Sequence, residues 1–249
     1  MGKEKIYIVI VTIIIGLIII LFSNVNVIKF YLSDYHKETK RGYRKTMNHL
    51  GNFGEYLIFQ RLCKVKGYKK ILSNVYIKKR SGDYTEVDVI MVHTSGIYVI
   101  ESKNYKGHIS GYKTAKNWTQ SLGRNTKNQF YNPLQQNEAH MRGIKYCLDL
   151  PDMSLLHSVI VFSNNSDLSE VHIDESDVIV TNVGCLIKDL KWVMKKNRNM
   201  LSEHDVDLIY KKLRQGEYVS KDIKKQQLNH AKERAKKANR NWFFRLFSK

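Results

Sequence analysis

Residues 86–105 read EVDVIMVHTSGIYVIESKNY. Two apolar runs of strand length, 86–92 and 97–105, flank His93-Thr94-Ser95-Gly96, a turn composition, so the stretch predicts an antiparallel hairpin. Three charged residues interrupt the apolar pattern: Asp88 in the first run, Glu101 and Lys103 in the second. Strand side chains alternate with period two, so Glu101 and Lys103 share a face while Ser102 points away. With 93–96 as the loop, Asp88 falls directly across from Glu101, where opposed Cβ atoms lie about 4.5–5.5 Å apart.

Two carboxylates that close repel each other, and burial makes ionising both costly. A divalent cation removes the conflict. Asp88, Glu101 and the backbone carbonyl of Ser102 offer the hard oxygens that Mg²⁺ prefers, and Lys103 could hold a water beside the metal or stabilise developing phosphorane charge. The set reads as a metal-dependent phosphodiester hydrolase. The bland alternative from the same spacing is a structural salt bridge in which Lys103 neutralises both acids.

Working outward, Leu50–Lys64 (LGNFGEYLIFQRLCK) has helical spacing. Glu55, Ile58, Phe59 and Leu62 stand at i, i+3, i+4 and i+7, so Glu55 shares the apolar stripe and wants a partner. Gly51 and Gly54 would let this helix approach the sheet closely. Ile71–Lys79 reads as a strand and 81–83 as a turn, completing a three-stranded antiparallel meander after a helix. Gly107–Trp118 reads as a short strand with a loop, and Pro133–Leu148 as a helix opened by proline. Leu156–Phe162 and Asp177–Thr181 read as strands, Leu186–Lys196 and Glu203–Leu213 as helices. The order is mixed α/β.

At this point the residues resemble a known family. GNFGEYLIFQRL at 51–62, EVDVIMVHTSGIYVIESKNYKGHISG at 86–111, Trp118, and NPLQQNEAH at 132–140 together resemble the nuclease-related domain (NERD), a branch of the PD-(D/E)XK restriction-endonuclease-like superfamily. The resemblance implies an α/β restriction-endonuclease-like core of helix, three-stranded meander, helix and strand. It matches Asp88 and Glu101 to the metal-binding acids, Lys103 to the lysine, and Glu55 to the acid on the first core helix, a third metal ligand. It also matches Gln136 to a polar position on the helix after the meander. The implied cofactor is Mg²⁺ or Mn²⁺ and the implied partner nucleic acid, with DNA the expected substrate. Val87 stands where the superfamily signature has proline. His140, one turn beyond Gln136, reads as a helix-flank histidine, with a place in the same cleft as the alternative, and Tyr105 and Lys106 as strand-end residues, with contact to backbone phosphate as the alternative. The rival function is a catalytically inactive module of the same fold that binds nucleic acid or a protein partner.

Ile6–Phe22 (IYIVIVTIIIGLIIILF) is an uncharged apolar run, read as a single transmembrane helix. Lys29, Lys37, Lys40, Arg41, Arg44 and Lys45 follow it, so the positive-inside bias puts the C-terminal domain in the cytoplasm. The net charge is +19, but residues 29–80 hold 14 Lys/Arg against 3 Asp/Glu and residues 221–249 hold 10 against 2, while 81–220 are near neutral. The excess is therefore explained as well by a lipid surface as by nucleic acid. The reading divides the chain into an anchor (1–28), a basic juxtamembrane stalk (29–46), the nuclease-like domain (47–165), an α/β extension with C-terminal helices (166–220) and a basic, aromatic-ended tail (221–249) suited to returning to the membrane. Cys63, Cys147 and Cys185 have no close spacing, which argues against a zinc or disulfide framework. No Walker A, dinucleotide-binding glycine, H-E-x-x-H or G-x-S-x-G pattern supports another enzyme class.

Overall fold

The computed structural model describes residues 2–123, 126–173 and 178–215. The tail 221–249 therefore lies outside the described residues. The hairpin forms as β2 (Tyr84–His93) and β3 (Gly96–Lys103), in the register expected, from Val89 opposite Ile100 to His93 opposite Gly96. The loop is shorter than the four residues expected, because His93 and Gly96 are themselves paired. Gly96 takes a positive φ of 133° there and sits against the His157 ring, where a side chain would not fit.

β1 (Lys69–Lys78) completes the antiparallel meander, and β7 (Leu156–Phe162) and β9 (Val178–Asn182) extend it in parallel, giving the order β1-β2-β3-β7-β9. Strands buried on both faces read as nearly continuous apolar runs, and β7 (LHSVIVF) is buried at every residue. One face is covered by α5 (Leu50–Cys63) and α7 (Leu186–Lys196), through Ile58, Leu62, Leu186 and Leu190 against Val89, Tyr98 and Val159. The other is covered by α6 (Pro133–Leu148) and α8 (Glu203–Arg214), through Ile144, Val206 and Leu213 against Ile90, Val92 and Val99. The result is a three-layer α/β/α core.

Local chemistry sets the helix ends. The Asn132 side chain accepts from Leu134 N–H and Pro133 opens α6, while Ser202 and Asp205 form a reciprocal capping box on α8.

A second sheet was not expected in full. Where the sequence suggests one strand and a loop, β4 (Gly107–Tyr112) turns into β5 (Asn117–Leu122), and β6 (Thr126–Tyr131) and β8 (Ser166–His172) complete a sheet of order β6-β5-β4-β8. Its members are polar: β6 reads TKNQFY and is mostly exposed, so no apolar alternation announces it. It is pinned to the first sheet by Trp118 and Ile109 packing on Leu134, Ile160 and Phe162.

The N-terminal region is helical: α1 (Lys3–Ser23), α2 (Val25–Leu32), α3 (Asp34–Thr39) and α4 (Tyr43–Met47). Among the described residues, no helix is long and apolar enough to cross a membrane. Residues 29–46, expected to be a basic stalk, instead pack on the domain. Phe30 and Tyr35 are buried against Phe59 of α5, with Tyr43 and Tyr56 around them. Their rings meet edge-on, at centroid distances of 5.5 Å for Tyr35 with Phe59 and for Phe30 with Tyr43.

One buried histidine carries a pH prediction. His93 Nδ1 accepts from Ser95 N–H (3.0 Å), so the ring proton sits on Nε2 and is donated to the Lys66 carbonyl (3.0 Å). Burial pushes its pKa below the ordinary value of about 6.5. The unfolded chain then binds a proton that the folded chain refuses, so stability falls as pH drops below about 6.5 and levels off below the folded pKa. The melting temperature between pH 8 and 5 should show this loss, and His93→Gln should flatten it.

Candidate active site

Glu101 sits at the end of β3, 3% exposed, between two cationic or proton-donating partners. Its Oε1 accepts from Lys103 Nζ at 2.6 Å, and its Oε2 lies 3.2 Å from His140 Nε2. His140 Nδ1 lies 2.7 Å from Thr85 Oγ1, an arrangement satisfied when the hydroxyl donates to Nδ1 and Nε2–H donates to the carboxylate. Lys103 Nζ also donates to Gln136 Oε1 at 3.0 Å. Burial alone would raise the Glu101 carboxyl, but the Lys103 charge and the His140 bond outweigh it and hold the group below its ordinary value. Burial likewise works against the Lys103 ammonium, yet Glu101 and Asp88 hold it above the ordinary lysine value, so it stays charged.

Asp88 occupies a break in the sheet. Val87 belongs to the core on the α6 side and Val89 to the core on the α5 side, whereas a regular strand would keep them together. Opposite on β1, Asn74 is left-handed at φ 58°, and the β1–β2 pairing passes from Ser73–Val89 to Val75–Val87 without an Asn74–Asp88 pair. On the other side the β2–β3 pairing ends at Val89–Ile100, and Asp88 Oδ2 instead accepts from Ser102 N–H at 2.9 Å. The register thus brings Asp88 beside Glu101 as expected, but the two are no longer a ladder pair because the strands part there. Burial, then repulsion from Glu101 and Glu55, pushes the Asp88 carboxyl well above its ordinary value.

Glu55 of α5 is buried, and its Oε2 accepts from Arg41 Nη1 (2.6 Å) and Asn74 Nδ2 (2.8 Å). The partner wanted by this acid is thus an arginine from outside the expected domain. The close approach of α5 to β3 depends on Gly54, where a Cβ would stand 3.0 Å from both Ser102 Oγ and Asn104 Cβ. Gly51, the other glycine expected to serve this approach, faces only the His49 ring. Asn104 Nδ2 reinforces the contact by donating to the Leu50 carbonyl at 2.6 Å.

Asp88, Glu101, Lys103 and Gln136 are therefore gathered at one place, with Glu55 felt electrostatically at Asp88. His140 belongs with them rather than on a helix flank. Its four-residue spacing from Gln136 on α6 is the sequence signal for that. Tyr105 is a core ring stacked edge-on with Phe130 at 4.7 Å, and the Lys106 side chain is exposed. In the basic block, Lys69 Nζ bonds the Val65 carbonyl and Lys70 pairs with Asp207, so these two charges are engaged within the fold.

The family model for the nuclease-related domain matches residues 50–163, which span α5 through β7 and contain Asp88, Glu101, Lys103, Gln136 and His140. The chain belongs to the nuclease-related domain family. The matched segment begins at Leu50, so Arg41 and the helices before it lie outside it. An uncharacterized protein of Bacillus anthracis is 31% identical over 187 residues, covering 72% of this chain and 82% of the relative. No solved structure matches the chain.

Divalent metals are the usual cofactor of nuclease-related domains, and the donor chemistry of Asp88 and Glu101 fits such an ion. Both are hard oxygen donors, and the negative field of Glu101 and Glu55 at Asp88 is one that a cation or a proton must relieve. Among the described residues, no group of three or more His, Cys, Asp or Glu side chains is arranged to hold a metal. Backbone carbonyls or water would have to complete the set.

Proposed function

We propose that this protein is a membrane-anchored nuclease that hydrolyses nucleic-acid phosphodiester bonds, DNA first among them, with Mg²⁺ or Mn²⁺. The observation that carries the reading is the Lys103 ammonium held between Glu101 Oε1 and Gln136 Oε1, next to an Asp88 whose charge is opposed by its neighbours. Asp88 and Glu101 would hold the ion, with Glu55 the third acid nearby. When bound, the ion would supply Lewis-acid stabilisation of phosphoryl oxygen and lower the pKa of an attacking water.

The chain's own residues account for the rest. Lys103, charged and fixed from two sides, offers positive charge where the oxygens of the pentacoordinate phosphorus accumulate negative charge. Gln136 fixes the lysine by accepting from it, and the carboxamide leaves its amino group for a phosphate or water. His140, oriented by Thr85, holds Glu101 in place.

The rival reading, a catalytically inactive module of the same fold, draws on one observation: both Glu101 oxygens are already engaged, by Lys103 and His140. Incubating the purified chain with supercoiled plasmid separates the two. Nicking that requires Mg²⁺ or Mn²⁺ and is lost in Asp88→Ala supports the nuclease. Salt-dependent DNA binding without cleavage would support the module.

The anchoring part rests on the sequence alone, on the uncharged apolar run from Ile6 to Phe22 and on the lysines and arginines that follow it. The full chain should stay in the membrane pellet after an alkaline carbonate wash, and a chain lacking residues 1–24 should move to the supernatant. Release of both would remove the anchor.

A further inference from the structure

We propose that Arg41 is a positioning residue for the acidic site, so that the helices preceding the nuclease-related segment are part of its machinery. The inference rests on the metal-dependent reading above and names a residue that neither the family match nor the site motif contains. Arg41 lies between α3 and α4, nine residues before the matched segment begins. Its Nη1 donates to Glu55 Oε2 (2.6 Å) and to the Tyr35 hydroxyl (3.3 Å), and its Nη2 donates to Asn74 Oδ1 (2.7 Å). Asn74 Nδ2 donates to the same Glu55 oxygen at 2.8 Å, which closes a triangle of Arg41, Glu55 and Asn74.

Each corner of the triangle bears on the site. Glu55 acts electrostatically on Asp88. Asn74 is the left-handed residue across from Asp88 at which the β1–β2 pairing is interrupted. Arg41 therefore fixes at once an acid that faces Asp88 and the backbone irregularity that releases Asp88 from the ladder. The fork suits this, because Nη1 on Glu55 Oε2 and Nη2 on Asn74 Oδ1 are held at a fixed spacing by one planar group, whereas a lysine would have to serve both from a single point on a flexible stem. The ion pair is well shielded, at 20% exposure for Arg41 and 10% for Glu55, so solvent does little to screen it. Arg41 is held in turn by Tyr35, buried at 0% exposure between Phe30 and Phe59. The N-terminal helices thus carry the guanidinium to the site on a rigid aromatic platform.

Outer partners of metal-binding carboxylates typically change affinity by about 10–100-fold when removed. The test is Mn²⁺ affinity of the detergent-solubilised full chain, read by the free-Mn²⁺ electron paramagnetic resonance signal, for wild type, Arg41→Gln, Arg41→Lys, Glu55→Gln, Arg41→Gln with Glu55→Gln, and Asp88→Asn. Positioning predicts that Arg41→Gln and Arg41→Lys both weaken Mn²⁺ by roughly tenfold, and that the double variant is no weaker than Glu55→Gln alone. A near-wild-type Arg41→Lys, tighter binding in Arg41→Gln, or additive losses in the double variant would overturn it. Those results would leave the metal reading standing so long as Asp88→Asn abolishes binding. Wild-type Mn²⁺ binding that is absent, or unchanged in Asp88→Asn, would remove the metal reading and this proposal with it. Circular dichroism of each variant guards against misfolding, and Arg41→Lys, which keeps the charge beside Glu55, is the variant expected to fold if Arg41→Gln does not.

Discussion

Replacing Lys103 with alanine should lower metal-dependent cleavage by roughly 10²–10³-fold, the usual loss when one preorganised donor to transition-state charge is removed. The Lys103 side chain is 14% exposed and its partner Glu101 3%, so the pair acts in a site from which most water is excluded. The ammonium is fixed from two sides, by Glu101 Oε1 and Gln136 Oε1, and pays little reorganisation when negative charge develops nearby. The same substitution should destabilise the fold, because it strands a buried carboxylate. Breaking such a pair from one side typically costs about 3–5 kcal/mol. His140 remains on Oε2 and offsets part of that cost. Lys103→Met separates the effects: it restores the apolar stem without the charge, so melting should recover partly while cleavage does not. Plasmid nicking and thermal melting of the three proteins check both halves, and a fully active Lys103→Ala would remove Lys103 from the chemistry.

The largest stability effect is expected at Trp118. It is 0% exposed, lies parallel to Phe162 at a centroid distance of 6.2 Å, and meets Phe130 edge-on at 6.4 Å. Its indole N–H donates to the Tyr112 carbonyl at 3.0 Å, and Gly111 lies against its ring, where any side chain would collide. Trp118→Ala should cost about 3–5 kcal/mol, as for other large aromatic truncations in cores. Trp118→Phe should cost less, since it keeps most of the apolar surface and loses chiefly the hydrogen bond. Urea unfolding measures both. The change also reaches the site, because Phe162 is the β7 residue paired with Lys103. Cleavage should therefore fall in Trp118→Ala even below the denaturation midpoint, and unchanged activity there would uncouple the second sheet from the site.

What the sequence makes legible follows from how strongly each part is patterned. The core sheet is readable because both faces of β2, β3 and β7 are buried, and unbroken apolar runs make any charged residue conspicuous. Asp88, Glu101 and Lys103 stand out for that reason, and hairpin register brings them together. Glu55 is visible as an acid on an apolar stripe, but its partner is not, since Arg41 is one of many basic residues in a segment whose net charge suggests a lipid surface. The interruption of ILSNVYI by Ser73-Asn74 marks the break opposite Asp88, although only the left-handed φ of Asn74 explains it. The second sheet is hidden because β6 and β8 are mostly polar, with only Phe130, Leu168 and Val171 turned to the core, and take their place by pairing with neighbours. His140 is concealed for a related reason: spacing gives its face on α6, while the contact with Glu101 depends on how α6 lies across the sheet.

In the proposed function the Asp88 carboxylate serves divalent-metal chemistry on a phosphodiester. The most direct measurement compares the full chain with Asp88→Asn on end-labelled DNA, with Mg²⁺ or Mn²⁺ and with chelator. Asparagine is the sharp substitution because its side-chain oxygen can still accept the Ser102 N–H bond that Asp88 Oδ2 accepts at 2.9 Å, so the sheet end is preserved while the charge is removed. The wild-type chain should cleave only when metal is present, and Asp88→Asn, at equal fold stability, should not cleave at all. Equal cleavage by the two proteins, or cleavage that persists in chelator, would contradict that function.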